Sequence, residues 1–205
     1  MPDQVAKITA AMDAEYRAMV LLAAYGSLRF GELVGLRRHR VDVLHKTIQI
    51  EESAVELADG RVTFGPPKSA AGRRTVAVPG DLMALIEDHL NDHVAAEPAA
   101  LLFTSPEGHP LRGSKFRHRW AAACEGAGVS GLHFHDLRGS GATWAATTGA
   151  TVRELMSRLG HATPAMALRY QHATAERDSA IADRLGALMR AVEDADTVEV
   201  RSIAK

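Results

Sequence analysis

The chain has a single cysteine, Cys124, among its 205 residues. That excludes an internal disulfide framework and fits a reducing intracellular setting. Cys124 itself lies in an Ala-rich helical stretch and reads as a small buried hydrophobe rather than a nucleophile. Aromatics are scarce, with five Phe, three Tyr and two Trp, while alanine is abundant, a balance that favours helix. No apolar run reaches the length of a membrane span. The start, Met1-Pro2-Asp3-Gln4, lacks the basic-then-apolar pattern of a signal peptide. There is no excess of either charge: 24 Lys and Arg stand against 25 Asp and Glu. Net charge therefore does not mark a nucleic-acid protein, but its distribution does more. Arg37, Arg38, His39 and Arg40 form one basic cluster, Arg73 and Arg74 a second, and Arg112, Lys115, Arg117, His118 and Arg119 a third. Acid gathers near the end, at Glu193, Asp194, Asp196 and Glu199. A neutral total can hide a basic face, and the face governs phosphate binding. Each cluster taken alone also reads as a solvated helix surface.

Nearly half of the residues are hydrophobic, enough for a substantial core. Helices are expected over Val5 to Met12, over the almost wholly apolar Tyr16 to Tyr25, and over Phe30 to Arg37 with Leu33, Val34 and Leu36 inward. The period then changes. Ile48 and Ile50 alternate with polar neighbours, and Val55-Glu56-Leu57 and Val62-Thr63-Phe64 flank an Asp59-Gly60 turn. Thr75 to Pro79 reads as a further strand. A small three-stranded antiparallel sheet is thus expected inside an α+β, mainly helical chain. Helices resume at Asp81 to His93, from an N-cap at Ser114 to Cys124, and from His135 to Thr148. Thr151-Val152-Arg153-Glu154 is a capping box for a helix that stops at Gly160. Thr163-Pro164 opens the helix expected to carry Tyr170. Ile181, Leu185, Leu188 and Val192 mark a last amphipathic helix, and residues 193–205 read as a flexible tail.

The residues that carry chemistry are two arginines, two histidines, a lysine and a tyrosine. A phosphodiester repels nucleophiles, and its leaving oxygen needs a proton. A site without metal therefore needs fixed cationic donors. Arg29 and Arg138 suit this because a guanidinium is always charged and its planar fork holds two phosphate oxygens. His135, three residues before Arg138, shares a helix face with it. His161 follows Gly160 at a helix end, where the chain can turn the ring into a cleft. Tyr170 is the candidate nucleophile, its phenolate favoured by surrounding cations. Lys68 lies in a loop between strands and is placed to protonate the leaving oxygen. Singly, each has a plainer reading: a surface arginine, a core histidine, a loop lysine, a packed aromatic. His133, His135, His161 and His172 match no common zinc signature.

Four blocks in order carry a resemblance. Tyr25-Gly26-Ser27-Leu28-Arg29-Phe30-Gly31-Glu32-Leu33 is the first, Pro67-Lys68-Ser69 with Arg73-Arg74-Thr75-Val76 the second. His135-Asp136-Leu137-Arg138 is the third, and Leu159-Gly160-His161 with Tyr170 the last. Together they resemble the catalytic domain of the tyrosine site-specific recombinases, the phage integrases, over about residues 5 to 185. The resemblance implies that Tyr170 attacks DNA to form a 3′-phosphotyrosyl link and release a 5′-hydroxyl, which a partner strand's 5′-hydroxyl later reverses. It implies that Arg29, Arg138, His135 and His161 activate the phosphate, that Lys68 protonates the leaving oxygen, and that Glu32 either orients Arg29 or caps local structure. It implies neither metal nor nucleotide cofactor. The partner is double-stranded DNA at attachment sites, bound by four protomers when full length. An isolated domain is expected to be a monomer. The setting implied is the cytoplasm of a bacterium, at the nucleoid, with a bacterial or phage gene. Arg37, Arg38, Arg40, Arg73, Arg74, Lys115, Arg117 and Arg119 are candidate DNA contacts. In many relatives a histidine follows the second arginine, where this chain has Gly139. Residues 1–192 are expected to be the catalytic domain without the N-terminal domain that clamps the other side of the DNA. A nicking-closing topoisomerase of similar chemistry and a DNA-binding remnant are the alternatives.

Overall fold

The computed structural model describes residues 2–171, 178–179, 181–187 and 190. Two units are distinguished, Met1–Gln171 and His172–Lys205. The first opens with three helices: α1 (Pro2–Ala11), α2 (Ala14–Tyr25) and α3 (Phe30–Val34). Five short strands follow: β1 (Val41–Asp42), β2 (Thr47–Ile50), β3 (Ser53–Glu56), β4 (Val62–Gly65) and β5 (Arg74–Ala77). The remaining helices are α4 (Gly80–Asp92), α5 (Gly113–Gly126), α6 (Asp136–Thr147), α7 (Val152–Leu159) and α8 (Pro164–Leu168). Among the described residues no helix is long and apolar enough to cross a membrane.

The apolar run of α2 forms the centre of the unit. Tyr16, Met19, Val20, Leu22, Ala23 and Ala24 are all buried, because a helix apolar on most sides must be wrapped by others. α6 crosses its C-terminal end so closely that a Cβ on Gly141 would stand 1.8 Å from the Ala24 carbonyl oxygen. Only a residue without a side chain permits that approach. Cys124 is buried at 6% exposure, and burial pushes its thiol up, as expected for an inert packing residue.

The sheet differs in membership from the expected one. Its three antiparallel strands are ordered β1-β2-β5, with Ile48 opposite Val76 and Ile50 opposite Arg74. The Asp59-Gly60 hairpin, β3 with β4, stands apart as a two-stranded sheet. β1 has two residues, too few to show a period. α5 begins one residue before Ser114, with Arg112 as its N-cap. Ser114 instead donates its backbone N–H and its hydroxyl to Glu56 on the hairpin, at 3.2 and 2.8 Å. The capping box of α7 forms as expected: Glu154 N–H donates to Thr151 Oγ1 at 3.2 Å, and Thr151 N–H to Glu154 Oε2 at 2.7 Å. α8 closes at Leu168, so Tyr170 sits in the turn after it, its N–H donating to the Ala167 carbonyl at 3.1 Å.

In the second unit residues 178–179, 181–187 and 190 are helical, and Ile181 and Leu185 are exposed. Leu188, Val192, His172 and the acidic tail lie outside the described residues.

Candidate active site

The first arginine block is a sharp turn. Ser27 takes a left-handed backbone, φ 55°; Leu28 beyond it is buried, and Arg29 caps α3. The Arg29 N–H donates to Glu32 Oε2 at 2.9 Å, and Arg29 Nη1 to Glu32 Oε1 at 2.7 Å. Glu32 is almost inaccessible and its partner half exposed, at 2% and 36% of their side chains. The same carboxylate receives the fork of Arg74, Nη1 to Oε1 at 3.0 Å and Nη2 to Oε2 at 2.9 Å. Burial pushes the Glu32 carboxyl up. The hydrogen bonds and charge of Arg74, then of Arg29, outweigh it and hold the group below its ordinary range.

In the second block His135 caps α6 and is exposed, while Arg138 is 4% exposed. Arg138 Nη1 donates to the Ser27 carbonyl and Nη2 to the Leu159 carbonyl. Burial, and then the charge of Arg29, push this guanidinium down to about 10, so it remains cationic at neutral pH.

The third block is the end of α7. Gly160 adopts φ 62° and ψ 46° as its C-cap. A Cβ there would stand 2.9 Å from the Ala71 carbonyl oxygen and 3.0 Å from Arg74 Nη1, so glycine is required by conformation and by space. The last carbonyls of a helix lack partners within it. Here arginines take them in succession. The Arg158 carbonyl accepts from Arg74 Nε at 2.8 Å, the Leu159 carbonyl from Arg138, and the Gly160 carbonyl from Arg29 Nη2 at 3.4 Å. Three guanidiniums, from α3, β5 and α6, therefore gather at one helix end, where the helix dipole is negative.

His161 follows, 6% exposed. Burial first, then the charges of Arg138, Arg29 and Arg74, push its imidazole down to about 4, so the ring is neutral at physiological pH. Its Nε2 lies 3.4 Å from Arg138 Nη2. Guanidinium nitrogen only donates, so Nε2 is the acceptor and Nδ1 carries the proton. Nδ1 is buried and has no hydrogen-bond partner among the described residues. The half-buried Tyr170 ring stacks on His161, centroids 6.3 Å apart and planes 23° apart. A Cβ on Gly139 would come 4.0 Å from Tyr170 Cε1, so the first turn of α6 faces the tyrosine.

Arg29, Arg138, His161 and Tyr170 are thus brought together from blocks far apart in the chain. Lys68 is exposed in the loop between β4 and β5. The far end of that loop is fastened by Arg74 Nη1, which donates to the Gly72 carbonyl at 3.0 Å.

The basic clusters divide. Arg74 was expected on a DNA face, but its side chain is 4% exposed. Strand alternation explains the difference: Arg74 shares its face of β5 with the buried Val76 and Val78, while Arg73 points to solvent. Arg38 is likewise turned to structure, its Nη1 donating to the Leu90 carbonyl at the end of α4 at 2.7 Å. Arg37 pairs with Glu52 at 2.8 Å and lies over the Phe64 ring, and Arg40 pairs with Glu51 at 2.6 Å. Arg119 pairs with Asp13 and covers Tyr16. Lys115 and Arg117 remain exposed on α5. A groove of about 990 Å³ runs between the hairpin tip, the 105–111 segment and α5, and its charged lining includes Arg61, Glu107, Arg112, Lys115 and Arg119. One organising residue carried no signal in the sequence: Arg158, on the polar face of α7, donates to the carbonyls of Ala77 and Tyr25 at 3.0 and 2.5 Å.

Comparison with known proteins places this geometry. A protein named as a prophage phiRv2 integrase of Mycobacterium tuberculosis is 44% identical over 190 residues, which cover 91% of this chain and 50% of that protein. The integrase of Mycobacterium phage L5 is 35% identical, over 92% of this chain and 52% of its own length. The chain spans about half the length of these curated relatives. The Tn1549 transposon integrase in complex with transposon right end DNA superposes with a TM-score of 0.74 at 18% identity, over 90% of this chain and 63% of that one. The catalytic domain of bacteriophage HP1 integrase gives 0.56 at 18% identity, over 87% and 89%. These likenesses establish a tyrosine recombinase catalytic-domain fold. The pattern of the phage integrase family matches residues 1–177, and the chain belongs to that family.

Proposed function

We propose that this chain is the DNA-cleaving and rejoining part of a site-specific recombinase, with Tyr170 as nucleophile. One observation carries the reading. Arg29 and Arg138 end on the consecutive carbonyls of Gly160 and Leu159, beside His161, whose ring is stacked by Tyr170. A phosphate over that point meets two guanidinium forks and a phenol.

In the reaction proposed, the phenol of Tyr170 gives up its proton to solvent as its Oη attacks phosphorus. The P–O5′ bond breaks, and Lys68 delivers a proton to the departing 5′ oxygen. A 3′-phosphotyrosyl ester and a free 5′-hydroxyl result. Attack by the 5′-hydroxyl of another strand reverses the step, so bond energy is kept in the ester. Arg29 and Arg138 neutralise charge that grows on the non-bridging oxygens. His161, as a neutral ring, supports the phosphate by hydrogen bonding and not by charge, and His135 is assigned to the phosphate from the rim. DNA is held by the exposed cations Arg73, Lys115 and Arg117.

The unit that acts on double-stranded attachment sites is read as a homotetramer of the full-length protein. Residues 1–192 serve as the catalytic domain, monomeric in isolation, and 193–205 as a tail. The working place is a bacterial cytoplasm, on the nucleoid. The topoisomerase alternative draws no support from any relative.

The test is a nicked suicide duplex spanning the attachment site taken from DNA flanking the gene, incubated with chelator. A covalent protein–DNA adduct is expected for the wild type and none for Tyr170→Phe. An adduct that survives that substitution removes the assignment.

A further inference from the structure

We infer that Arg74 is a positioning residue for the proposed chemistry: it holds Glu32, and through Glu32 it sets both the orientation and the effective charge of Arg29. The inference deepens the reading above and rests on it for the cleavage step.

The geometry leaves Arg74 little else to do. Its side chain is 4% exposed, and every one of its nitrogens is committed to an acceptor within the protein. It spends Nε on the Arg158 carbonyl at 2.8 Å, and its two terminal nitrogens on both oxygens of Glu32, at 3.0 and 2.9 Å. Glu32 uses those same two oxygens for Arg29, one for the side chain at 2.7 Å and one for the backbone N–H at 2.9 Å. One buried carboxylate is therefore shared by two guanidiniums, and the trio keeps a single positive charge. Without Arg74 the Arg29–Glu32 pair would sum to zero, and a phosphate would meet a neutralised guanidinium. Without Arg74 the carboxylate would also lose its tether to the end of α7, where Arg29 and Arg138 find their carbonyls. Lysine keeps the charge but cannot supply a planar fork to three acceptors at once. The extra hydrogen bond to the Gly72 carbonyl, 3.0 Å, ties the base of the Lys68 loop to the same network.

The test uses Arg74→Lys in the whole chain, with the nicked duplex described above. At saturating protein, adduct formation is expected to slow by roughly 10- to 100-fold, the scale of a misplacement of about an ångström, with DNA affinity changed less than about threefold. In an Arg29→Lys background the same substitution should add almost nothing, because both act through one group. An unchanged adduct rate, or full additivity with Arg29→Lys, overturns the inference. A second readout needs no cleavage. Guanidinium ¹⁵N NMR of Arg29 should show hindered rotation in the wild type and averaged signals in Arg74→Lys. Arg29 signals that stay hindered overturn the inference even if the wild type forms no adduct, an outcome that would separately remove the recombinase reading. Should Arg74→Lys fail to fold, the wild-type protein decides by acid titration. Arg29 and Arg74 are expected to lose hindered rotation at one common pH as Glu32 protonates, and separate midpoints overturn the coupling.

Discussion

At the C-terminal end of α7 every cation is tied down, whereas in the β4–β5 loop Lys68 stands exposed. The first region commits three guanidiniums to consecutive backbone carbonyls and a buried carboxylate. The difference follows from the tasks proposed for them. A phosphate-binding donor acts best when it is fixed before the substrate arrives, so that no reorganisation is needed during reaction. A proton donor must approach the leaving oxygen and draw back, which a surface loop allows and a buried fork forbids. Stability and chemistry should therefore be inseparable at α7 and separable at Lys68.

The harshest break of that comparison is Arg138→Met. It strands the Ser27 and Leu159 carbonyls, at about 1–3 kcal/mol for each unpaired buried group. Denaturant unfolding should register the loss, and adduct formation should vanish with it. A variant of wild-type stability that still cleaves DNA would sink the view that Arg138 serves both roles. Lys68→Ala should do the opposite. Cleavage is expected to fall by about 10²- to 10⁴-fold, the usual worth of a general acid, with stability within about 0.5 kcal/mol of wild type. A duplex with sulfur at the bridging 5′ position sharpens the test, because a thiolate leaves without being protonated. It should restore most of the lost rate in Lys68→Ala and none in Arg138→Met.

These two regions also mark where sequence was readable. The turn before Arg29, the glycine ending α7 and the Thr151 capping box are local devices, set by neighbours three or four residues away, and each is legible as a motif. The partners of Arg74 are not local, since Glu32 and the Arg158 carbonyl lie 42 and 84 residues away. Yet a signal was present: Arg74, Val76 and Val78 alternate on one strand face, which puts an arginine where the core is and demands a buried carboxylate. Along the sequence Arg73 and Arg74 stand side by side as one basic pair, which masks that alternation. The N-terminus of α5 offers the contrary case. Its carboxylate is Glu56, 58 residues before Ser114, and no pattern near Ser114 points to it.

A weaker, graded test uses acid. His161 has a folded pKa of about 4 against 6.5 for the free side chain. Between those values the unfolded chain binds a proton that the native one does not, so falling pH favours unfolding. The stability contributed by the neutral ring is complete above about pH 6.5 and drains away towards pH 4. Glu32, depressed as a carboxyl, extends the loss to lower pH still. Denaturant midpoints at pH 7, 5.5 and 4.5 should fall steadily in the wild type and more gently in His161→Phe, which keeps a ring but cannot titrate. Lys68→Ala should follow the wild-type curve. Parallel slopes for wild type and His161→Phe would mean that the imidazole is not buried beside these arginines.

The smallest effect expected is a gain. Ser27 holds φ 55°, a left-handed conformation that costs a residue with a side chain roughly 1–2 kcal/mol, and its hydroxyl is buried with no hydrogen-bond partner among the described residues. The strain has a use, since that turn aims the Ser27 carbonyl at Arg138. Glycine adopts the same conformation freely but loses more chain entropy on folding, about 0.5–1 kcal/mol. Ser27→Gly should therefore stabilise the protein by under about 1 kcal/mol, raise its melting temperature slightly, and leave adduct formation unchanged, because the carbonyl stays where it is. A loss of cleavage with intact stability would mean that the serine side chain, and not only its backbone, helps to place Arg138. The organised region would then extend one residue further into the first arginine block than the hydrogen bonds alone indicate.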